Sequence, residues 1–234
     1  MLILFDIDST LTHTSRVGIK AIVRAGQHHF GPGFTDDGID VAGRLDPLIM
    51  GEMLERAGAA PSRENIGKIR EGYIAAMKTE LFAPGISQPC PGMDRLVSAL
   101  LPHQTSGAVT LGLLTGNFEQ TGTLKIQACG FDPAVFKVRV WGDDSPHHPP
   151  RRDHLPPVAM QRYREVVGRE IAAKKVTIIG DTPHDIQCAK ANGCRALAVA
   201  TGRFDLAELK SHGPDLAVET VEETERVTEW LVKG

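Results

Sequence analysis

Asp6-Ile7-Asp8-Ser9-Thr10 sets two carboxylates two residues apart, directly after the apolar run Leu2-Ile3-Leu4-Phe5. That run reads as a buried strand, and the C-terminal end of a first strand is where α/β sheets place their chemistry. One carboxylate can attack as a nucleophile while the other handles protons, and both can lie near one Mg²⁺. An ordinary acidic turn, with Thr10 as a cap, is the competing reading. Two later segments repeat the pattern. The apolar run Val109–Leu114 ends in Thr115-Gly116-Asn117 ahead of a helix-like stretch. A hydroxyl and a flexible glycine facing a helix N-terminus suit phosphate oxygens, although Thr115 would also serve as a plain cap. The run Val176–Ile179 leads into Gly180-Asp181-Thr182-Pro183-His184-Asp185. Gly180 lets the chain turn tightly, and Asp181 projects as a hard oxygen ligand. Asp185 follows about one helical turn later and can reach back to the same point. Pro183 suits the first turn of a helix. An N-cap role accounts for Asp181 alone, but not for the same pattern at three strand ends.

These residues need elements to hold them. Ile19, Ile22, Val23 and Phe30 recur at near-helical spacing, as do Leu48, Ile49, Met53, Leu54 and Ala57. A longer stripe follows in Ile66, Ile69, Tyr73, Ala76, Met77 and Leu81. Residues 14–87 therefore read as an all-helical insertion, bounded by Thr14 and the Pro/Gly-rich stretch Pro84–Gly92. Its Met and Leu stripes read as core. Residues 1–13 and 88–234 form the remaining body. There helices at Met93–Leu101, Phe118–Cys129, Leu155–Val167 and Pro183–Asn192 alternate with strands at Val109–Leu114, Phe136–Trp141, Val176–Ile179 and Ala196–Ala200. Asp205 with Glu208 reads as a capping box for a short helix. Asp215–Val218 reads as an edge strand, and Val221–Val232 as a closing helix. The alternation implies an α/β fold with a parallel sheet covered on both faces.

Composition narrows the function. The chain has 234 residues, 41% hydrophobic and 24% charged, which is globular in character. A net charge of −3 and few aromatic residues leave no footprint for nucleic acid or an anionic membrane. No apolar run approaches a membrane span, and the N-terminus enters a strand without a signal-peptide pattern, so a cytoplasmic location is expected. Cys90, Cys129, Cys188 and Cys194 lack C-x-x-C spacing and read as reduced, mostly buried thiols. The doublets His28-His29 and His147-His148 lack the spacing of a helical zinc site.

Taken in order, the three strand-end segments resemble the haloacid dehalogenase superfamily, in its phosphatase branch. Asp6 to Thr10 matches the family's Asp-x-Asp-x-Thr, Thr115 its strand-end hydroxyl, and Gly180-Asp181 with Asp185 its Gly-Asp-x-x-x-Asp. The resemblance covers essentially the whole chain and looks most like phosphoglycolate-phosphatase-like enzymes. It implies a Rossmann-like core with an inserted helical cap that closes over the site. It also implies Mg²⁺ held by Asp6, Asp181 and the backbone carbonyl of Asp8, with Asp185 behind them. Asp6 would form an aspartyl-phosphate and Asp8 would move protons. Thr115, Gly116 and Asn117 would bind phosphate, with Thr10 supporting the loop. Gly43-Arg44-Leu45-Asp46 is similar to a cap segment of these relatives, so Arg44 would grip a substrate carboxylate, or else pair with Asp46 or Asp40. Two departures stand out. Ser9 replaces a common glycine, and the usual Lys-Pro cation is absent. Lys174 and Lys175 precede a strand and fall at the wrong end of the sheet. Arg152, with Arg151 second, precedes a helix that must run antiparallel to the strands, which puts its start at the site. The implied reaction is hydrolysis of a small phosphorylated metabolite (phosphoglycolate, a sugar phosphate or a nucleotide monophosphate) by a monomer or homodimer. A phosphosugar mutase, a C–P hydrolase using a cap lysine such as Lys20 or Lys68, and a non-catalytic phosphoester-binding protein are the alternatives.

Overall fold

The computed structural model describes residues 1–233. In chain order the elements begin with β1 (Leu2–Phe5) and β2 (Thr12–His13). Three helices follow: α1 (Val17–Phe30), α2 (Asp46–Arg56) and α3 (Arg63–Glu80). Then come β3 (Gln88–Pro89), α4 (Met93–Thr105), β4 (Thr110–Leu114), α5 (Glu119–Ala128) and β5 (Val138–Val140). The chain closes with α6 (Leu155–Val167), β6 (Val176–Gly180), α7 (Pro183–Ala191), β7 (Arg195–Val199), α8 (Leu206–Ser211), β8 (Leu216–Val218) and α9 (Thr224–Lys233).

Among the described residues, six strands form one parallel sheet in the order β5-β4-β1-β6-β7-β8. β1 is central and apolar at every position because both its faces are covered. Strand side chains alternate between faces. Ile3 and Phe5 pack with Met93, Leu96 and Leu100 of α4, Ile126 of α5 and Leu231 of α9. Leu2 and Leu4 pack on the other face with Leu155, Ala159 and Tyr163 of α6 and Ile186 of α7. The α/β expectation is met, with an inserted helical segment between β2 and β3. That segment has its own core, in which Met50, Met53, Leu54, Ile69, Tyr73 and Met77 are buried.

Several expected boundaries shift. α4 runs on to Thr105, through Pro102. β5 pairs over Val138–Val140 alone, while Phe136 and Trp141 on either side are buried as core. Asp205 caps α8 by accepting from the Glu208 amide at 2.8 Å. The antiparallel pair β2–β3 was not foreseen. It ties together the two points where the chain leaves and re-enters the sheet domain, and two residues per strand are too few to show a period.

Candidate active site

β4 and β6 are the two sheet neighbours of β1, so the residues that follow these three strands converge. Asp6, Thr115 and Asp181 line one cleft of roughly 260 Å³, shared with Asp8, Asn117, Lys125 and Arg152 and with the helical segment through Gly18, Arg44, Asp46 and Tyr73. This is the switch point at which an open parallel sheet offers a crevice.

Asp6, Asp181 and Asp185 are buried, and one carboxylate oxygen from each lies within 4.8 Å of the others. Arg152, from the turn ahead of α6, is buried among them. Its Nη2 lies 2.5 Å from Asp185 Oδ1 and 3.1 Å from Asp6 Oδ1. The second contact lacks hydrogen-bonding geometry, so Asp6 Oδ1 is buried without a donor. Arg151 is exposed and pairs with Asp153 at 2.7 Å, outside the cluster. Lys174 and Lys175 form the turn that enters β6, at the opposite end of that strand from Asp181.

Three buried carboxylates thus face one guanidinium. Burial pushes the Asp6 carboxyl up to about 6; Arg152 opposes this, and Asp185 and Asp8 add to it. Burial, reinforced by Asp185 and Asp6, also raises Asp181 well above the ordinary carboxylate range. Clustered hard anionic oxygens, one of them unpartnered, fit a divalent cation that favours oxygen. Asp6 and Asp181 have the oxygens to hold it. Asp185 is already engaged. Its Oδ1 accepts from Arg152, and its Oδ2 accepts from the Thr182 amide at 3.1 Å and hydroxyl at 2.6 Å, in a capping box that starts α7.

The other expected site residues make the following contacts. Thr10 Oγ1 donates to Asp181 Oδ1 at 3.2 Å, so it steadies a carboxylate. Thr115 is buried and accepts from Asn117 Nδ2 at 2.9 Å. That same Nδ2 donates to Asp8 Oδ2 at 2.8 Å, which makes Asn117 a partner of Asp8. Gly116 gives its carbonyl to the Asp46 amide at 2.8 Å, and a Cβ there would sit 2.0 Å from the Arg44 carbonyl oxygen. Gly116 is therefore where the helical segment rests on the sheet domain. Arg44 lines the cleft, but its Nη1 donates to Glu52 Oε2 at 2.8 Å and to the Asp40 carbonyl at 2.9 Å. Its side-chain ion pair is with Glu52, rather than Asp46 or Asp40. The side chain of Asp8 lies outside the carboxylate cluster. Ser9 has φ 55°, the left-handed region that favours glycine. It is held there by its amide on the Thr12 carbonyl at 2.8 Å and by the Thr201 hydroxyl on its own carbonyl at 2.5 Å.

Lys125 was not foreseen. It is buried on α5, and its Nζ lies 2.6 and 2.8 Å from the two Asp8 oxygens and 2.5 Å from Asn117 Oδ1. Burial pulls its pKa down, but the adjoining Asp8 carboxylate, with Asp46 beyond it, outweighs this and the net shift is upward. One sequence signal pointed to it. Helical side chains lean back towards the N-terminus, and α5 begins at the cleft, so a long side chain on its second turn can reach back towards the strand ends. Asp46, at the start of α2, accepts from the Phe118 amide at 3.3 Å. Burial pushes its carboxyl up to about 7, against the pull of Lys125.

The profile of the haloacid dehalogenase-like hydrolase family matches residues 3–199, and the chain belongs to that family. It is 28% identical to the probable phosphatase IndB of Dickeya dadantii over 99% of this chain and 95% of that protein. Its fold is similar to that of a predicted phosphoglycolate phosphatase from Haemophilus somnus, with a TM-score of 0.69 at 17% identity over 97% of both chains. It is also similar to CbbY of Rhodobacter sphaeroides in complex with xylulose-(1,5)bisphosphate, with a TM-score of 0.72 at 19% identity over 95% of both chains.

Proposed function

We propose that this protein is a Mg²⁺-dependent phosphatase of a small phosphomonoester, phosphoglycolate-like or a sugar phosphate, working through phosphorylated Asp6. The observation that carries this reading is the pairing of two unlike carboxylates at one strand end. Asp6 is buried with an oxygen that has no donor, while Asp8 faces the cleft and lies outside the cluster. An Asp6 oxygen attacks phosphorus, the bond to the leaving oxygen breaks, and Asp8 gives that oxygen a proton. A water then attacks phosphorus of the aspartyl-phosphate, Asp8 takes its proton, and the Asp6 carboxylate is regenerated. Arg152 and the Thr115 hydroxyl balance charge on the phosphoryl oxygens. A bound Mg²⁺, held by Asp6 and Asp181, would offset the repulsion between a carboxylate and a phosphate dianion. The family membership and the likeness to a probable phosphatase support this reading. The helical segment would act as a cap that selects the substrate. Among the described residues no helix is long and apolar enough to cross a membrane. All four cysteines are free and buried, which fits our placing the enzyme in the cytoplasm.

The test is phosphate release from a panel of phosphorylated metabolites, with and without EDTA. Asp6→Asn should lower turnover at least about 10³-fold, as expected for loss of a nucleophile. Mg²⁺ should raise the melting temperature of the wild type but not of Asp181→Asn. Release that survives Asp6→Asn, or no release from any ester by folded, Mg²⁺-loaded protein, would overturn the assignment.

A further inference from the structure

The ion pair between Lys125 and Asp8 is asymmetric. The Lys125 side chain is 5% exposed, whereas that of Asp8 is 46% exposed and faces the cleft. Ammonium has three N–H donors, and three acceptor oxygens surround this one: both Asp8 oxygens and Asn117 Oδ1. Asn117 closes the ring by donating its Nδ2 to Asp8 Oδ2. A carboxylate two residues from Asp6 on the same loop would otherwise be free to turn towards a divalent cation at Asp6 and Asp181, since hard cations take carboxylate oxygens readily. As a ligand it could no longer exchange protons with substrate and water.

We infer that Lys125 is a positioning residue that holds Asp8 away from the metal ligands and facing the substrate. The inference rests on Asp8 being the proton carrier proposed above. Substrate binding does not explain the arrangement, because the three oxygens already occupy the donors of Lys125. The helical segment also confines the ammonium, since a Cβ on Gly18 would lie only 3.3 Å from both Lys125 Nζ and the Tyr73 hydroxyl. Lys125 thereby separates two carboxylates that the sequence places side by side, one for phosphorus and metal and the other for protons.

The test compares wild type, Lys125→Met, Asp8→Asn and the double variant, each checked for folding by circular dichroism. Lys125→Met should lower kcat by about 10- to 100-fold, the usual cost of removing a group that orients a site residue, with KM little changed. Mg²⁺ affinity, read by calorimetry without substrate, should rise as Asp8 becomes free to ligate. Lys125→Met should cost nothing further in the Asp8→Asn background, because a residue that acts through another shows no independent effect. Equal losses in both backgrounds, or a raised KM with unchanged kcat, would overturn the inference. If Lys125→Met does not fold, Asp8→Asn alone still decides. Its Mg²⁺ affinity should match the wild type, and a tenfold loss would show that Asp8 ligates despite Lys125. Calorimetry needs no turnover, so this result is separable from failure of the phosphatase reading, which Asp6→Asn reports.

Discussion

Arg152 sets a buried positive charge beside Asp6, the proposed nucleophile, and its surroundings define what a substitution would do. It is buried between Asp6 and Asp185, so Arg152→Met would leave two buried carboxylates uncompensated. Removing one partner of a buried ion pair costs about 3–5 kcal/mol. A fall of that size in unfolding free energy, read by urea titration, is expected. Arg152→Lys should recover most of the stability and part of the turnover, because the charge returns while the contacts of the second guanidinium nitrogen do not. An unchanged stability in Arg152→Met would show that the carboxylates are held by something else. The place of Arg152 followed from direction alone. A helix that returns antiparallel to the strands begins where they end, so residues just before α6 sit at the cleft. Lys125 lies within a helix, where only the backward lean of a long side chain brings it to Asp8. No spacing rule ties residue 125 to residue 8.

Between elements, the segment that runs into α2 is seated on the strand-end loops. The Arg152 Nη1 donates to the Gly43 carbonyl at 3.0 Å, the Asp46 amide to Gly116, and the Phe118 amide to the Asp46 carboxyl. From α3, Arg70 reaches Asp143 at 3.0 Å and Gln120 at 2.6 Å and lies 4.0 Å over the Phe118 ring. Gly116→Ala would drive a methyl into the Arg44 carbonyl, a backbone atom that cannot rotate away. Overpacking of this kind costs about 1–3 kcal/mol. The expected result is a lower melting temperature together with reduced turnover, because the helical segment can no longer rest at the mouth of the cleft. Wild-type stability in this variant would mean that the segment can sit differently at no cost. A Thr-Gly-Asn at a strand end reads equally well as a phosphate loop or as a turn. Its use as a seat for α2 depends on a segment some 70 residues earlier in the chain.

For the molecule as a whole, the buried carboxyl of Asp46 couples stability to pH. Its folded pKa of about 7 lies above its ordinary value of 3.8. Between those values the folded chain holds more protons than the unfolded one, so stability falls as pH rises across the window. The effect over the whole window is on the order of 4 kcal/mol, given about 1.36 kcal/mol per pKa unit. Asp6 and Asp181 shift in the same direction, so the informative quantity is a difference between proteins. Unfolding free energy should drop further between about pH 5 and pH 8 in the wild type than in Asp46→Asn, where that linkage is absent. Identical slopes would place the Asp46 charge in solvent. The sequence by itself determined the parallel sheet and the strand-end positions of Asp6, Thr115 and Asp181. Those features rest on apolar runs, alternation and turn chemistry, which act over a few neighbouring residues. Only the tertiary structure decided that Asp8 is held by Lys125, that Asn117 serves Asp8, and that Asp46 and Gly116 join the helical segment to the sheet domain. These contacts join residues up to 117 positions apart, and they arise where packed surfaces meet, which local periodicity does not encode.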